Sequence, residues 1–174
     1  NRERYIKLIF GVIVIDLVFN MIVKPSWGND YFYQLAAGLN LFDGFGYTWL
    51  QDTDLCGLHK FSFFSKFPVG YSFLSGLYLK IHNNVMFVNT FYMAIAVIFA
   101  LWFIHSISKK LNFNNFQRIT LMSLYLFFTH LYGHVVDHLT LTVILGAIYF
   151  FSIAHQSKKF FSISLLFIFS AFLL

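Results

Sequence analysis

Long apolar runs constrain this chain more than any other feature. Four stretches, at about 5–24, 84–107, 119–136 and 138–156, are apolar enough to cross a membrane, and another begins near residue 160. A helix needs about 20 such residues to cross the hydrocarbon core of a bilayer. Backbone polar groups inside lipid must also be satisfied within the helix itself. The sequence therefore predicts an all-α fold, a polytopic bundle of transmembrane helices.

Composition supports a bilayer as the surrounding medium. Hydrophobic residues make up 59% of the chain and charged residues only 11%, whereas soluble domains carry about 25% charged residues. The formal net charge of +5 is modest, and no basic run with interleaved aromatic residues indicates a nucleic-acid partner. We expect the lipid bilayer as a partner and no nucleic acid. The single cysteine, Cys56, excludes an intrachain disulfide.

The basic residues predict the topology, because cytoplasmic loops of membrane proteins are enriched in Lys and Arg. If segment 67–82 lies on the outer surface instead of crossing, all three basic clusters fall on the cytoplasmic side. The N-terminus is then cytoplasmic, residues 25–83 form one long external loop, and the connection near Asp137 is external too. The three clusters are Arg2, Arg4 and Lys7; Lys109, Lys110 and Arg118; and Lys158 and Lys159.

We interpret residues 1–174 as a single transmembrane domain. The first apolar segment is too long for a signal peptide and has no small-residue cleavage site, so we expect it to be retained. The last run offers only fifteen residues from Phe160, fewer than the roughly 20 that a span needs. We therefore expect the chain to be the N-terminal part of a longer membrane protein.

The external loop is predicted to carry interfacial helices. Residues 30–42 show helical spacing of apolar positions, with Asp30 at the N-terminus of the predicted helix. We expect an amphipathic helix on the membrane surface. Its apolar stripe would comprise Phe32, Leu35, Ala36, Leu39 and Phe42, and its opposite side Asp30, Tyr33, Gln34 and Ala37.

Two acids stand out because the predicted topology puts both on the external side. An acid held at a membrane surface can do proton chemistry on a lipid-linked substrate. Asp30 has the alternative role of helix cap, which either it or Asn29 could fill. Asp137 has the alternative role of a solvated residue at a helix start.

Sequence elements around these acids resemble the GT-C superfamily of integral-membrane glycosyltransferases. Asp30 and the helix after it are followed by Gly44-Phe45-Gly46-Tyr47, then by Phe67-Pro68-Val69-Gly70-Tyr71. A later acid, Asp137, opens a helix after a basic turn. The order is similar to that of protein O-mannosyltransferases and of enzymes that add aminoarabinose to lipid A. The resemblance covers about residues 5–156.

The chain departs from the family pattern at three positions. Tyr31 stands where an acidic pair is frequent, and Phe67 where the box often has its first proline. Asp137 follows Val136, where the family often has a glutamate after serine. These differences leave the subfamily and the acceptor open.

The resemblance implies a polyprenyl-phosphate sugar as donor and a lipid, glycan or protein as acceptor. It implies inverting transfer at the external face of a bacterial inner (plasma) membrane. Asp30 would be the general base, and Asp137 would orient the acceptor or polarise the site. Lys60 and Lys66 would meet the lipid phosphate, or merely snorkel to the interface. The expected substrate-binding residues are Tyr33, Lys60, Lys66, Tyr71, His134 and His138.

Three histidines raise the question of a metal. His130, His134 and His138 are four residues apart and with Asp137 offer ligands for a divalent ion. Membrane di-iron enzymes need more histidines than this cluster supplies, and interfacial histidines are ordinary. We assign no metal site and expect no required cofactor, with a divalent metal as the alternative.

A non-catalytic membrane protein is the alternative function. A transporter or an assembly subunit would use the loop to bind a partner. Transporters place polar residues at mid-depth in broken helices, whereas here only Asp16 and Asn20 are clearly polar within the first span. The enzyme is therefore the leading hypothesis.

Overall fold

The computed structural model describes residues 4, 8, 10–12, 14, 15, 29–53, 59–63, 69–131 and 135–174. Within these residues the fold is predominantly helical, which confirms the predicted helical class, and one short antiparallel hairpin is added. The elements are α1 (Asn29–Phe42), β1 (Thr48–Thr53), β2 (His59–Phe63), α2 (Val69–His82), α3 (Val85–Lys110), α4 (Asn115–Leu131), α5 (Val135–Ser152), a 3₁₀ turn (Ala154–Gln156) and α6 (Lys158–Leu173).

Contacts divide the chain into two compact units. The first, here called the α1–α2 unit, lies within residues 27–88 and includes the hairpin and the last three residues, 172–174. The second, the α3–α6 unit, lies within residues 89–171 together with the N-terminal segment.

Among the described residues, two helices are long and apolar enough to cross a membrane: Phe87–Lys110 within α3, and α5, Val135–Ser152. They correspond to the predicted spans at 84–107 and 138–156. Helices α4 and α6 contain 17 and 16 residues, which is shorter than the roughly 20 needed for a perpendicular crossing. The first predicted span, 5–24, lies mostly outside the described residues.

Local sequence signals explain where the helices of the α3–α6 unit begin and end. Helix α3 is followed by Asn112, whose φ of 58° is the left-handed conformation that ends many helices. Helix α4 opens with a reciprocal capping box. The amide N–H of Gln117 donates to Asn114 Oδ1 at 2.9 Å, and the N–H of Asn114 donates to Gln117 Oε1 at 2.9 Å. At α6, Ser157 Oγ accepts from the N–H of Lys159 at 3.2 Å.

The α1–α2 unit depends on a backbone contact between two glycines. A Cβ atom at Gly38 would overlap the carbonyl oxygen of Ser72 and lie 3.0 Å from the backbone nitrogen of Gly76. A Cβ atom at Gly76 would overlap the carbonyl oxygen of Gly38. Helices approach this closely only where neither has a side chain at the crossing point. The two glycines therefore fix where α1 crosses α2.

The buried face of α1 differs from the predicted apolar stripe. Phe32 and Ala36, assigned to the stripe, are exposed, and so is Tyr33. Gln34 and Ala37, assigned to the polar side, are buried. Periodicity located the helix correctly, but packing against α2 selects small residues and so rotates the buried face. That face consists of Gln34, Leu35, Ala37 and Gly38.

The hairpin was not predicted from the sequence. Strand β1 pairs antiparallel with β2 from Thr48 opposite Phe63 to Thr53 opposite His59, with an irregularity between Leu50 and Asp52. Thr48 also accepts a hydrogen bond from Asn40 Nδ2 to its carbonyl oxygen at 3.0 Å, which ties the hairpin to α1. The polar residues within both strands hid the alternation by which strands are recognised.

Side-chain hydroxyls tie the helices of the α3–α6 unit together. Thr142 Oγ1 donates to the carbonyl oxygen of Ala96 at 2.9 Å, which joins α5 to α3. Ser164 Oγ donates to the carbonyl oxygen of Ala147 at 2.9 Å, which joins α6 to α5. Such bonds satisfy hydroxyls that would otherwise be stranded in an apolar interior.

Aromatic rings fill the interior of the same unit around the buried Phe103. Its ring centroid lies 5.9 Å from that of Phe167 and 5.8 Å from that of Tyr149. Gly146 provides the space, since a Cβ there would overlap the Phe167 ring. The Phe103 and Phe167 rings meet edge-to-face, with an angle of 90° between their planes, and such contacts stabilise beyond the area that they bury.

We predict that Gly38→Ala and Gly76→Ala each separate α1 from α2. Overpacking a well-packed contact typically costs about 1–3 kcal/mol, and the obstacle here is backbone, which cannot rotate away. Thermal unfolding of the purified protein in detergent measures the loss. Gly11→Ala is the matched control, because Gly11 is helical and has open space around it. Equal stability of Gly38→Ala and Gly11→Ala would contradict the close contact.

Candidate functional site

Asp30 occupies the first turn of α1, as predicted, because α1 begins at Asn29. Acidic residues are favoured there by the helix dipole. The remainder of α1 is held by its contact with α2 through Gly38. The position of Asp30 is therefore set by a helix anchored about two turns further along the chain.

Gln34 lies one helical turn after Asp30 and is buried, with 5% of its surface exposed. Among the described residues, no donor is within hydrogen-bond distance of its Oε1 atom. A buried acceptor left without a donor costs about 1–3 kcal/mol. Sequence analysis placed Gln34 on the polar side and did not select it for a role. The Gln34 amide is therefore enclosed within the α1–α2 unit.

The glycine turn after α1 is connected to α2 by a tyrosine. Gly44 and Gly46 have φ angles of +87° and +73°, conformations that side chains other than glycine rarely adopt. The chain then presents Tyr47, whose hydroxyl lies 3.3 Å from Ser72 Oγ. Burial raises the pKa of the Tyr47 phenol above its ordinary value, and the hydrogen bond to Ser72 partly offsets this rise. Tyr47 is therefore neutral at physiological pH and joins the turn to α2.

The two tyrosines predicted to bind substrate have different environments. Tyr33 on α1 is 38% exposed and is accessible. Tyr71, in the first turns of α2, is completely buried, so in this arrangement it packs inside the α1–α2 unit. A ring buried to this extent can hold neighbouring residues of a site in place.

An exposed ion pair closes the other end of the helix pair. Lys80 on α2 contacts the carboxylate of Asp43, which directly follows α1. Both side chains are 43% exposed, and such pairs contribute only about 0–1 kcal/mol. Lys80 therefore has a partner in the unit, and Asp43 is distinct from the candidate catalytic acid.

In the α3–α6 unit, Asp137 lies in the first turn of α5 and is exposed. The adjacent His138 is 5% exposed. The ring of His138 meets that of Tyr125 edge-on, with centroids 5.9 Å apart and an angle of 88° between the planes. The start of α5 thus carries the accessible carboxylate of Asp137 next to the buried imidazole of His138.

The enclosed imidazole belongs to a buried polar cluster formed by Tyr125, Thr129, His138 and Thr142. The Tyr125 hydroxyl lies near those of Thr129 and Thr142, but it has no well-aligned hydrogen-bond partner among the described residues. Thr129 Oγ1 donates to the Tyr125 carbonyl at 2.9 Å, and Thr142 Oγ1 lies 2.6 Å from the His138 carbonyl. The cluster lies where the end of α4 meets the start of α5.

Several predicted site residues are not positioned by the structure. Lys66 and His134 lie outside the described residues. Lys60 and His130 lie within β2 and α4, and their side chains are not described. In the part of the chain that the structure describes, no three His, Cys, Asp or Glu side chains converge to hold a metal ion.

Each unit therefore carries its own candidate residues. The α1–α2 unit carries Asp30 at a helix start, the accessible Tyr33 and the buried Gln34. The α3–α6 unit carries Asp137 beside a buried polar cluster. Proton transfer requires a carboxylate close to the reacting hydroxyl, and each unit contains one candidate acid.

Sequence analysis missed Gln34, the Tyr47–Ser72 contact and the threonines of the cluster. The sequence does contain a signal for the burial of Gln34, because the small residues that follow it on the helix indicate a close helix crossing. Thr129 and Thr142 gave no such signal, since helical threonines ordinarily bond to their own backbone.

Comparison of the chain with protein-family models, curated proteins and solved structures gives no match.

We predict that Tyr47→Phe and Ser72→Ala each destabilise the protein by about 1 kcal/mol, the usual net worth of a hydrogen bond. The double variant should lose little more than either single variant, because both remove the same bond. Chemical or thermal unfolding of all four proteins gives the coupling. Fully additive losses would show that the two hydroxyls do not interact.

Proposed function

We propose that this chain is a membrane glycosyltransferase of the GT-C type. One observation carries the proposal. Three of the sequence elements of the resemblance lie together in the α1–α2 unit. The helix that carries Asp30 in its first turn packs on the helix that follows Pro68, and Tyr47 of the Gly-x-Gly-Tyr turn reaches Ser72 beside Tyr71. The proximity of these elements supports the proposal.

The proposed topology places residues 25–83 outside the membrane and the N-terminus in the cytoplasm of a bacterium, with the chain in its plasma membrane. In support, basic residues and acid occupy opposite ends of the α3–α6 unit. Lys110 Nζ donates to the Ser152 carbonyl at 3.0 Å, which brings the ends of α3 and α5 together. Asp137 lies at the other end of α5 and is the only acidic residue after Asp54.

The proposed reaction transfers a sugar from a polyprenyl phosphate to a hydroxyl or amine of a lipid, glycan or protein. The acceptor atom attacks the anomeric carbon and forms the new glycosidic bond. The bond from that carbon to the phosphate oxygen breaks, and its electron pair leaves with the lipid phosphate. The acceptor proton passes to a carboxylate. Attack opposite the leaving phosphate inverts the anomeric configuration. No metal or cofactor is required by these steps.

We assign the proton-accepting role to Asp30. The accessible Tyr33 would contact the sugar. Asp137 would orient the acceptor, and His138 would support the adjacent Asp137 from within the buried cluster. Lys60, Lys66 and His134 would balance the charge of the donor phosphate.

We predict that Asp30→Asn abolishes transfer while the protein still folds. Asparagine starts a helix about as well as aspartate but cannot accept the proton, and loss of a general base typically costs about 10²–10⁴-fold in rate. The assay is sugar transfer from a radiolabelled polyprenyl-phosphate donor by the purified full-length protein.

Asp43→Asn is the matched control, since it makes the same chemical change at the opposite end of α1 and removes only an exposed ion pair. It should retain wild-type activity. Activity of Asp30→Asn within a few-fold of wild type would exclude Asp30 as the base and make Asp137 the next candidate. If the wild-type protein transfers no sugar from any polyprenyl-phosphate donor, the result would favour the alternative function, a transporter or an assembly subunit.

A labelling experiment tests the proposed topology. Cys56, which lies outside the described residues, should react with a membrane-impermeant maleimide added to intact cells. Leu111→Cys in a Cys56→Ser background should react only after permeabilisation, because the α3–α4 turn is proposed to be cytoplasmic. Leu111 is suitable because it is 61% exposed, whereas Ser108 is buried. Labelling of Leu111→Cys in intact cells would mean that segment 67–82 crosses the membrane.

A further inference from the structure

A pocket lies at the basic end of the α3–α6 unit. It has a volume of about 460 Å³ and is lined by His105, Ser106, Lys109, Lys110 and Tyr149. On α3, His105 and Lys109 are four residues apart, as are Ser106 and Lys110, so the four side chains form two adjoining rows. Tyr149 of α5 forms the opposite wall. The pocket thus offers two ammonium groups, an imidazole and two hydroxyls.

Within helices α3 to α6, the positive charge of this pocket has no acidic side chain nearby. Its lining contains no carboxylate. From residue 55 to residue 174, Asp137 is the only acid, and it lies in the first turn of α5, 15 residues before Ser152. At 1.5 Å per residue, this separation is about 22 Å, well beyond the screening length of physiological salt, about 8 Å. The two lysines therefore present net positive charge to whatever enters the pocket.

Neighbouring groups hold the walls in place. Lys110 Nζ donates one hydrogen bond to the Ser152 carbonyl at 3.0 Å, and an ammonium group has two further protons to donate. Tyr149 is fixed by aromatic packing, with its ring centroid 5.3 Å from that of Trp102. A ligand would therefore meet a lysine and a phenol ring that are already positioned, which lowers the entropic cost of binding.

We propose that this pocket binds the phosphate group of an anionic lipid headgroup. Clustered ammonium and hydroxyl donors match the oxygens of a phosphate ester. The pocket adjoins the end of α3, a helix that is long and apolar enough to cross a membrane. The end of a membrane-crossing helix lies at the level of the lipid headgroups. Basic pockets between membrane helices are known to hold anionic headgroups. The site is separate from Asp30 and does not depend on the proposed sugar transfer.

The test measures which lipids remain bound to the protein. Wild-type protein is reconstituted in nanodiscs of mixed phosphatidylglycerol and phosphatidylcholine, and the retained lipids are counted by native mass spectrometry. Lys109→Gln/Lys110→Gln should lower the preference for phosphatidylglycerol about tenfold or more, because each lysine near the surface contributes to anionic lipid binding. Tyr149→Phe keeps the ring, removes one donor and should lower the preference less.

Lys158→Gln/Lys159→Gln is the matched control, because it removes the same charge from the start of α6 and leaves the pocket lining intact. It should retain the preference for phosphatidylglycerol. Equal losses in the two double variants would mean that net charge alone attracts the lipid and would overturn the proposal. Displacement of phosphatidylglycerol by millimolar inorganic phosphate would show that the pocket binds free phosphate. That result would contradict a lipid headgroup as the ligand.

Discussion

The contact between Gly38 and Gly76 is the constraint on which the α1–α2 unit depends. At this point the backbones of two short helices touch, and no other residue type fits at either position. Because α1 has only 14 residues, fixing it at Gly38 also fixes its first turn, which carries Asp30. The same crossing presses Gln34 into the interior. A packing requirement thus leads directly to the arrangement of the candidate site, since the helix that must lie close to α2 is also the helix that presents the acid.

In the α3–α6 unit, polar groups serve the fold in a different way. Hydroxyl-to-carbonyl bonds join neighbouring helices across an interior that is otherwise apolar. Thr142 to Ala96 and Ser164 to Ala147 are bonds of this kind. The unit is also chemically asymmetric along its length: lysines lie where α3 and α5 end, and an acid with an enclosed histidine lies where α5 begins. In the proposed topology this asymmetry places the lysines on the cytoplasmic side, and it separates the proposed phosphate-binding pocket from Asp137.

The sequence predicted the helical class, the approximate extents of α1 to α6 and the place of Asp30 at a helix start. These features depend on local periodicity and on charge, which are visible in a single sequence. It did not predict the hairpin, because residues such as Asp52 and Lys60 interrupt the alternation of β1 and β2. It also did not predict which face of α1 packs on α2. Periodicity shows that a helix has two faces, but the partner helix decides which is buried, and Gly76 lies 38 residues further along the chain. The cluster around His138 was only partly foreseen, since Tyr125 and Thr129 become relevant only when α4 meets α5.

The most direct test of the central claim, that this is a membrane glycosyltransferase, is mass spectrometry of the glycans, lipids and glycoproteins of the cell envelope. Cells that carry the intact gene are compared with cells in which it is deleted and with cells complemented by the wild-type gene. The account predicts that one sugar modification disappears on deletion, that its unmodified acceptor accumulates, and that complementation restores it. Identical envelope profiles in all three strains, under conditions in which the protein is made, would contradict the account.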